Sequence, residues 1–533
     1  MDAATPANNA ASWAAQRAES SGSRLAVVDE LRRLDYAGLE RRIQRLAGWM
    51  RSAGVAAGDR VGILLGNVSA YLEAVFGAAR IGAIAVPINT RLTPSEVCFL
   101  FDDCSPRALI YGSELRELAR RACAATRQEP SSQFEVADSA GVACEYEATL
   151  AGSEPCRSIL PLGGEAPMLL MYTSGTTGQP KGALLPHRKA LYNSKNAAIY
   201  FGIEPHDRVL VVAPLFHSLG LQILAMPVLH CGGSLVLQRR FDPERLLEAV
   251  EREAIRYLGG VPTLYQRMLE VLDQAAPDRY DLRSLRFLFT AGAPAPAELV
   301  RAYAQRGLAL VQGYGQTETS TLTCVGVADA ERKAGSVGQP VRHAELRLID
   351  PDSLARPVAD WREVATGEKG EIVVRGPIVM LGYWQRPEAT AETLREGWLR
   401  TGDLATRDEE GFLTLVGRSR EMFISGGENV YPAEVEACYG EHPTVREIAV
   451  VAVPDERWGE AGRAHVVLRP GAAIEAQELD AWGREWLAGF KIPSRFVFEA
   501  ELPRTASGKV QKHRLTAASA DPAARAPDST RAR

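Results

Sequence analysis

The chain has 533 residues, of which 46% are apolar and 24% charged, and its net charge is −5. That length exceeds one ordinary core, so two or more domains are expected, and the charge gives no reason to expect a nucleic-acid partner. Eight cysteines occur without a CxxC pair, which argues against a disulfide scaffold or structural zinc and fits a reducing cytoplasm.

No basic segment leads into an apolar core at the N-terminus, so no signal peptide is read. ASWAAQRAES predicts a helix and RLAVVD a strand. YAGLERRIQRLAGWMRSAG has apolar residues at helical spacing and stops at glycine. DRVGILLGN, SAYLEAVFGAARIGAIAVPIN and RALIYG continue the alternation. This rhythm predicts a layered α/β architecture with partly parallel sheets. Residues 124–165 lose the periodicity and read as a surface excursion. The apolar run 209–237 contains Pro214, His217, Gln222, Pro227 and His230, so it reads as buried strand, loop and helix, not a membrane span.

Ahead of that run, TSGTTGQPKG (173–182) packs glycines, hydroxyls and Lys181 into ten residues. Glycines let many backbone N–H groups converge on one anion, and hydroxyls and lysine add donors. A standard P-loop needs Ser or Thr directly after its lysine, and Gly182 stands there. SLVLQ, ERLLEAVEREA and RFLFTAG resume the α/β pattern. AELRLID, GEIVVRG and FLTLVGR form a β-rich stretch. YPAEVEACYG, EIAVVAVP, AHVVLRP and AQELDAWGREWLAG read as a small α+β domain. The tail from 516 is small, Pro-rich and polar, and reads as disordered.

YTSGTTGQPKG, GYGQTE (313–318), TGD (401–403), GR (417–418), SGGENVYP (425–432) and PRTASGK (503–509) occur in this order. Together they resemble the adenylate-forming superfamily of acyl- and aryl-CoA synthetases. The resemblance implies a large N-terminal ATP- and acid-binding domain (1–419) and a mobile lid (420–515) hinged at Arg420. It implies two half-reactions. ATP and a carboxylate give an acyl-adenylate and pyrophosphate, and CoA then displaces AMP.

The resemblance also distributes roles. Thr173, Ser174, Gly175, Thr176, Thr177, Gly178 and Lys181 would handle the β- and γ-phosphates. Glu318 would ligate Mg²⁺, Thr317 would meet the α-phosphate, and Tyr314 with Gly315 would lie near adenine. Gly292 and Ala293 of AGAP would pass adenine and the acyl group. Asp403 and Arg418 would hold ribose. Lys509 would stabilise charge during adenylation. Gly426 and Gly427 would leave room for pantetheine, and Trp458 would stack on CoA adenine, with Arg91, Lys491 and Arg495 as further phosphate contacts.

Phe216, His217, Leu221, Gly260, Val261 and Ser320 are the expected acid pocket. Small and apolar residues outnumber charges there, which favours a hydrophobic monocarboxylate. INTRL and the motif context resemble bacterial fatty-acyl-CoA synthetases, so a fatty acid is expected, with an aryl acid as the alternative. Two other readings stay open: an adenylation enzyme loading a separate carrier protein's pantetheine, and a non-catalytic binding protein. The oligomeric state also stays open, a homodimer included.

Overall fold

The computed structural model describes residues 9–137, 145–173, 180–276, 278–418, 421–425, 428–455, 458–487, 489–505 and 508–517. The chain divides into two compact units. The larger holds most of residues 1–346 with 373–401 and 410–413. The smaller holds 347–372, 402–409 and the chain from 414. A large α/β part, a β-rich part and a small α+β part are all present, as the sequence pattern predicts.

Two sheets build the larger unit. In one, the parallel strands Leu310–Gln316, Phe287–Thr290, Tyr257–Gly260, Arg208–Val211, Ser234–Leu237 and Leu25–Val28 lie side by side, with antiparallel strands at both edges. Their short apolar runs are buried on both faces, as parallel sheets require. In the other, Pro167–Thr173, Ile84–Pro87, Arg60–Leu64, Ala108–Gly112 and Ser132–Val136 are parallel. Lys181–Pro186 and Gly382–Tyr383 extend it antiparallel. Asp35 caps the long helix Tyr36–Ser52 by accepting from Gly38 N at 2.6 Å.

The run 209–237 folds as strand, helical turns and a second strand. Residues 124–165 differ from expectation. They contain the edge strand Ser132–Val136 and the helix Glu145–Gly152, whose Tyr146 is fully buried and donates to Glu73 Oε2 at 2.5 Å. Few side chains of either element are buried, so their apolar pattern is faint in the sequence. The tail expected to be disordered lies almost wholly outside the described residues.

A β-rich sheet orders Glu345–Ile349, Gly370–Arg375, Trp398–Arg407 and Leu394–Arg395, with Leu413–Arg418 on Trp398–Arg407. The C-terminal sheet centres on the long antiparallel pair Val445–Asp455 and Gly459–Leu468. The helices Pro432–Gly440 and Ala476–Trp486 supply Val435, Tyr439 and Leu479 to its core. Close approach demands glycine at 483, because an added Cβ would sit 1.9 Å from Tyr439 Oη. Gly483→Ala is expected to destabilise this unit by about 1–3 kcal/mol, as overpacking does. The urea midpoint, followed by Trp482 and Trp486 fluorescence, measures it. Among the described residues, no helix is long and apolar enough to cross a membrane.

Candidate active site

The glycine-rich segment joins two antiparallel strands, with Thr173 opposite Lys181. Thr173 Oγ1 donates to the Lys181 carbonyl at 3.3 Å, which pins the base of the hairpin. Ser174, Gly175, Thr176, Thr177 and Gly178 lie outside the described residues. Gly382–Tyr383 pairs with the same hairpin, and this brings the Tyr383 ring beneath Lys181, whose Nζ is 5.5 Å from the ring centroid.

A second hairpin turns at residues 317–319. Gln316 pairs with Ser320, Thr319 N donates to Gln316 O at 3.1 Å, and Gln316 N donates to Thr319 Oγ1 at 3.2 Å. Gly315 is required because any Cβ would fall 1.8 Å from the Ser320 carbonyl. Glu318 is carried on this turn, 8% exposed. Its Oε1 accepts from Tyr383 Oη at 2.8 Å, and its carbonyl accepts from Met380 N at 2.9 Å. Tyr383 therefore touches both Lys181 and Glu318. The sequence reading missed it, since GYW carries no local signal of a contact 65 positions away.

Four adjacent parallel strands end on one edge. His217 follows Arg208–Val211, Val261 follows Tyr257–Gly260, Gly292 follows Phe287–Thr290, and Leu310–Gln316 ends in Tyr314 and Gly315. Ligands of open α/β sheets bind outside such carboxyl ends. The structure thus places His217, Val261, Gly292 and Tyr314 at or just beyond the ends of neighbouring strands. Phe216 is buried with its ring 4.6 Å from the His217 ring, and Leu221 is fully buried. Gly292 has φ +87°, a backbone that favours glycine, and with Ala293 it is exposed. Thr317 is half-buried and Tyr314 nearly buried.

The sequence reading also missed Lys189. It is wholly buried, and its Nζ donates to Gln222 Oε1 at 2.7 Å and to Ser320 Oγ at 2.5 Å. Burial pushes its amine down to about 7, partly opposed by the Glu318 charge.

The smaller unit holds its own set. Asp403 is 6% exposed, and its Oδ1 accepts from Arg418 Nε at 3.0 Å. The pairing of Trp398–Arg407 with Leu413–Arg418 makes that contact. Trp458 is 42% exposed at the turn between the two long strands, its N–H donating to Asp455 Oδ1 at 3.0 Å. Lys491 is held by Glu434 at 2.5 Å, while Arg495 and Lys509 are exposed. In the larger unit Arg91 is exposed. Gly426, Gly427 and Arg420 lie outside the described residues.

Glu318 also meets the demands of a divalent cation. It is a buried carboxylate with no ion-pair partner among the described residues, an arrangement that a hard cation would relieve. Among the described residues no three His, Cys, Asp or Glu side chains gather for a metal, so Mg²⁺ would take most of its oxygens from phosphate and water.

Comparisons with known proteins identify relatives of the whole chain. The family model described as AMP-binding enzyme matches residues 14–384, and the AMP-binding enzyme C-terminal domain matches 434–509. A feruloyl-CoA synthase of Amycolatopsis sp is 43% identical over 506 residues, 94% of this chain and 97% of that protein. An indoleacetate–CoA ligase of Aromatoleum aromaticum is 38% identical over 94% of this chain and 96% of that protein. The structure of ATP-bound MatB from Rhodopseudomonas palustris superposes with a TM-score of 0.87 at 29% identity, covering 96% of this chain and 99% of that one.

Proposed function

The chain belongs to the AMP-binding enzyme family, the adenylate-forming acyl- and aryl-CoA ligases, and from that premise we propose that its substrate is an aryl-substituted monocarboxylic acid. It is an acid–thiol ligase that uses ATP, Mg²⁺ and CoA. The carboxylate attacks the α-phosphorus of ATP, pyrophosphate leaves, and the CoA thiol then displaces AMP from the acyl-adenylate. A carboxylate oxygen is a poor leaving group, and AMP makes it a good one.

One observation carries the choice of acid. The feruloyl-CoA synthase and the indoleacetate–CoA ligase, at 43% and 38% identity, both name acids with an aromatic ring. They favour the aryl alternative over the fatty acid that INTRL suggested. INTRL lies at 88–92, just after the strand Ile84–Pro87 of the other sheet, and carries none of the candidate pocket residues. At those strand ends an added Cβ on Gly292 would meet only Val261 Cγ1, at 3.7 Å, whereas Leu264 already packs against Gly260.

The residues take these roles in the same reading. Thr173, Lys181 and the loop between them grip the departing phosphates. Glu318 would hold Mg²⁺, which would supply charge neutralisation at the phosphates. Tyr383 positions Glu318 by donating to its carboxylate. The Asp403 carboxylate accepts from the ribose hydroxyls, with Arg418 beside it. Residues 420–515 form the lid, with Arg420 as hinge, Gly426 and Gly427 along the thiol route and Trp458 on the CoA adenine.

An acid panel tests the proposal. Acid-dependent AMP release, with and without CoA, is measured for cinnamates, indole-acetates, benzoates, fatty acids and dicarboxylates, and products are weighed by mass. Aryl acids are expected to give the highest kcat/KM by about tenfold or more, equal to about 1.4 kcal/mol. A fatty acid or dicarboxylate ahead by that margin would sink the aryl reading. AMP release without any acyl-CoA product would point to a carrier protein as acceptor.

A further inference from the structure

The antiparallel strands Pro167–Thr173 and Lys181–Pro186 fix where the glycine-rich segment starts and ends. The stretch 377–386 crosses this hairpin. Leu381 N donates to the Leu184 carbonyl at 2.8 Å, and Trp384 N donates to the Gly182 carbonyl at 2.7 Å. Between them, the Tyr383 ring lies under Lys181 and its hydroxyl donates to Glu318. The placement of this stretch therefore bears directly on Lys181. Arg188 holds its beginning, donating to the Pro377 carbonyl at 2.7 Å and the Val379 carbonyl at 2.8 Å.

Asp103 holds its end, from the last turn of the helix Pro94–Cys104. The Asp103 side chain is 8% exposed. Its Oδ1 accepts from Arg386 Nη2 at 2.6 Å, and its carbonyl accepts from Trp384 Nε1 at 3.2 Å. Its Oδ2 accepts from Tyr172 Oη at 2.7 Å. Tyr172 directly precedes Thr173 and pairs with Gly182 across the hairpin. A Cβ added at Gly182 would meet Leu170 Cδ1 at 2.7 Å and the Tyr172 ring at 3.3 Å. The position where a standard P-loop carries Ser or Thr is thus covered here by the ring whose hydroxyl Asp103 holds. The same carboxylate grips the strand that enters the glycine-rich segment and the stretch that crosses the strand leaving it. Hydrogen bonds to an ion-paired carboxylate are stronger than those to a neutral acceptor, which makes this a firm junction.

We propose that Asp103 is a positioning residue for adenylation, joining Tyr172 to Arg386 so that Lys181 stands where it meets the β- and γ-phosphates of ATP. The proposal rests on the reading of Lys181 as a phosphate-binding residue. Asp103 acts through Tyr172 on one side of the hairpin and through Trp384 and Tyr383 on the other. Small displacements of a positioned group are costly, up to about 10²-fold for 1 Å.

Binding of two nucleotides to the full chain separates this role from a general contribution to the fold. α,β-Methylene-ATP carries all three phosphates and cannot release pyrophosphate, while AMP lacks the β- and γ-phosphates. Both are titrated by calorimetry in buffer with Mg²⁺, so no acid substrate is needed. The wild type is expected to bind the ATP analogue about tenfold or more tighter than AMP. Asp103→Ala is expected to remove most of that preference by weakening the analogue about tenfold, with AMP changed about twofold or less. An equal loss for both nucleotides, or no loss for either, would overturn the positioning role and leave Asp103 as a part of the fold. If Asp103→Ala does not fold, Tyr172→Phe decides. It deletes the hydroxyl and keeps the ring over Gly182, and it is expected to cost the analogue alone about threefold. An unchanged preference in that variant overturns the proposal. Lys181→Met is the reference. If it keeps the wild-type preference, the phosphate reading of Lys181 fails and the role of Asp103 falls with it. If it loses the preference while Asp103→Ala and Tyr172→Phe keep it, only the role of Asp103 is removed.

Discussion

Replacing Lys509 with alanine is expected to slow acyl-adenylate formation about 10²–10³-fold, the usual cost of losing one group that stabilises developing charge. Thioester formation from supplied acyl-adenylate should change about twofold or less. The difference follows from where charge appears. Adenylation gathers negative charge on the attacking carboxylate and the α-phosphate, and an ammonium there lowers the barrier. The thiol step starts after pyrophosphate has left and has no such need for Lys509. The local structure suits the test. Thr505 N donates to the Lys509 carbonyl at 2.7 Å, Lys509 N donates to Thr505 Oγ1 at 3.1 Å, and Arg504 bridges Val510. Backbone bonds hold this loop, and the side chain is exposed, so alanine should leave the fold intact. The two half-reactions are measured separately, by pyrophosphate release and by acyl-CoA formation. Equal losses in both would remove Lys509 from the adenylation step.

The parts of this molecule that are local were legible in its sequence. Parallel strands such as Phe287–Thr290 are short apolar runs between helical segments, and RFLFTAG stands out as one. The turn 317–319 and the Gly315 approach to Ser320 need particular residue types in a row, so GYGQTE stands out. The edge strand Ser132–Val136 and the helix Glu145–Gly152 were not legible, because each buries too few side chains to leave a period. Tyr383 and Lys189 were missed for another reason. Their partners are distant in the chain, 65 positions from Tyr383 to Glu318 and 131 from Lys189 to Ser320. Only the sheet order brings Gly382–Tyr383 beside Lys181–Pro186, and only helix packing buries Lys189. The acid is the least legible feature, because shared motifs report the reaction, while the candidate pocket residues stand singly at the ends of separate strands.

Glu318→Gln is expected to lower adenylation about 10²-fold, about 2.7 kcal/mol of barrier, and to raise the Mg²⁺ concentration needed for half-maximal rate. Glutamine nearly preserves the size of the side chain and keeps an oxygen that can accept from Tyr383, so the contact that holds the turn survives. What it removes is the charge. In the wild type that carboxylate is buried without an ion-pair partner among the described residues, so its negative charge is available to a cation. Tyr383→Phe provides the contrast. It leaves the charge and deletes one hydrogen bond to it, worth about 1.5–3 kcal/mol when the acceptor is ionised. Its effect should be smaller, because a freed carboxylate can still reach the metal. Mg²⁺ titrations of pyrophosphate release separate the two variants. If Glu318→Gln keeps the wild-type Mg²⁺ dependence, Glu318 is a structural anchor for Tyr383, and the metal is held elsewhere.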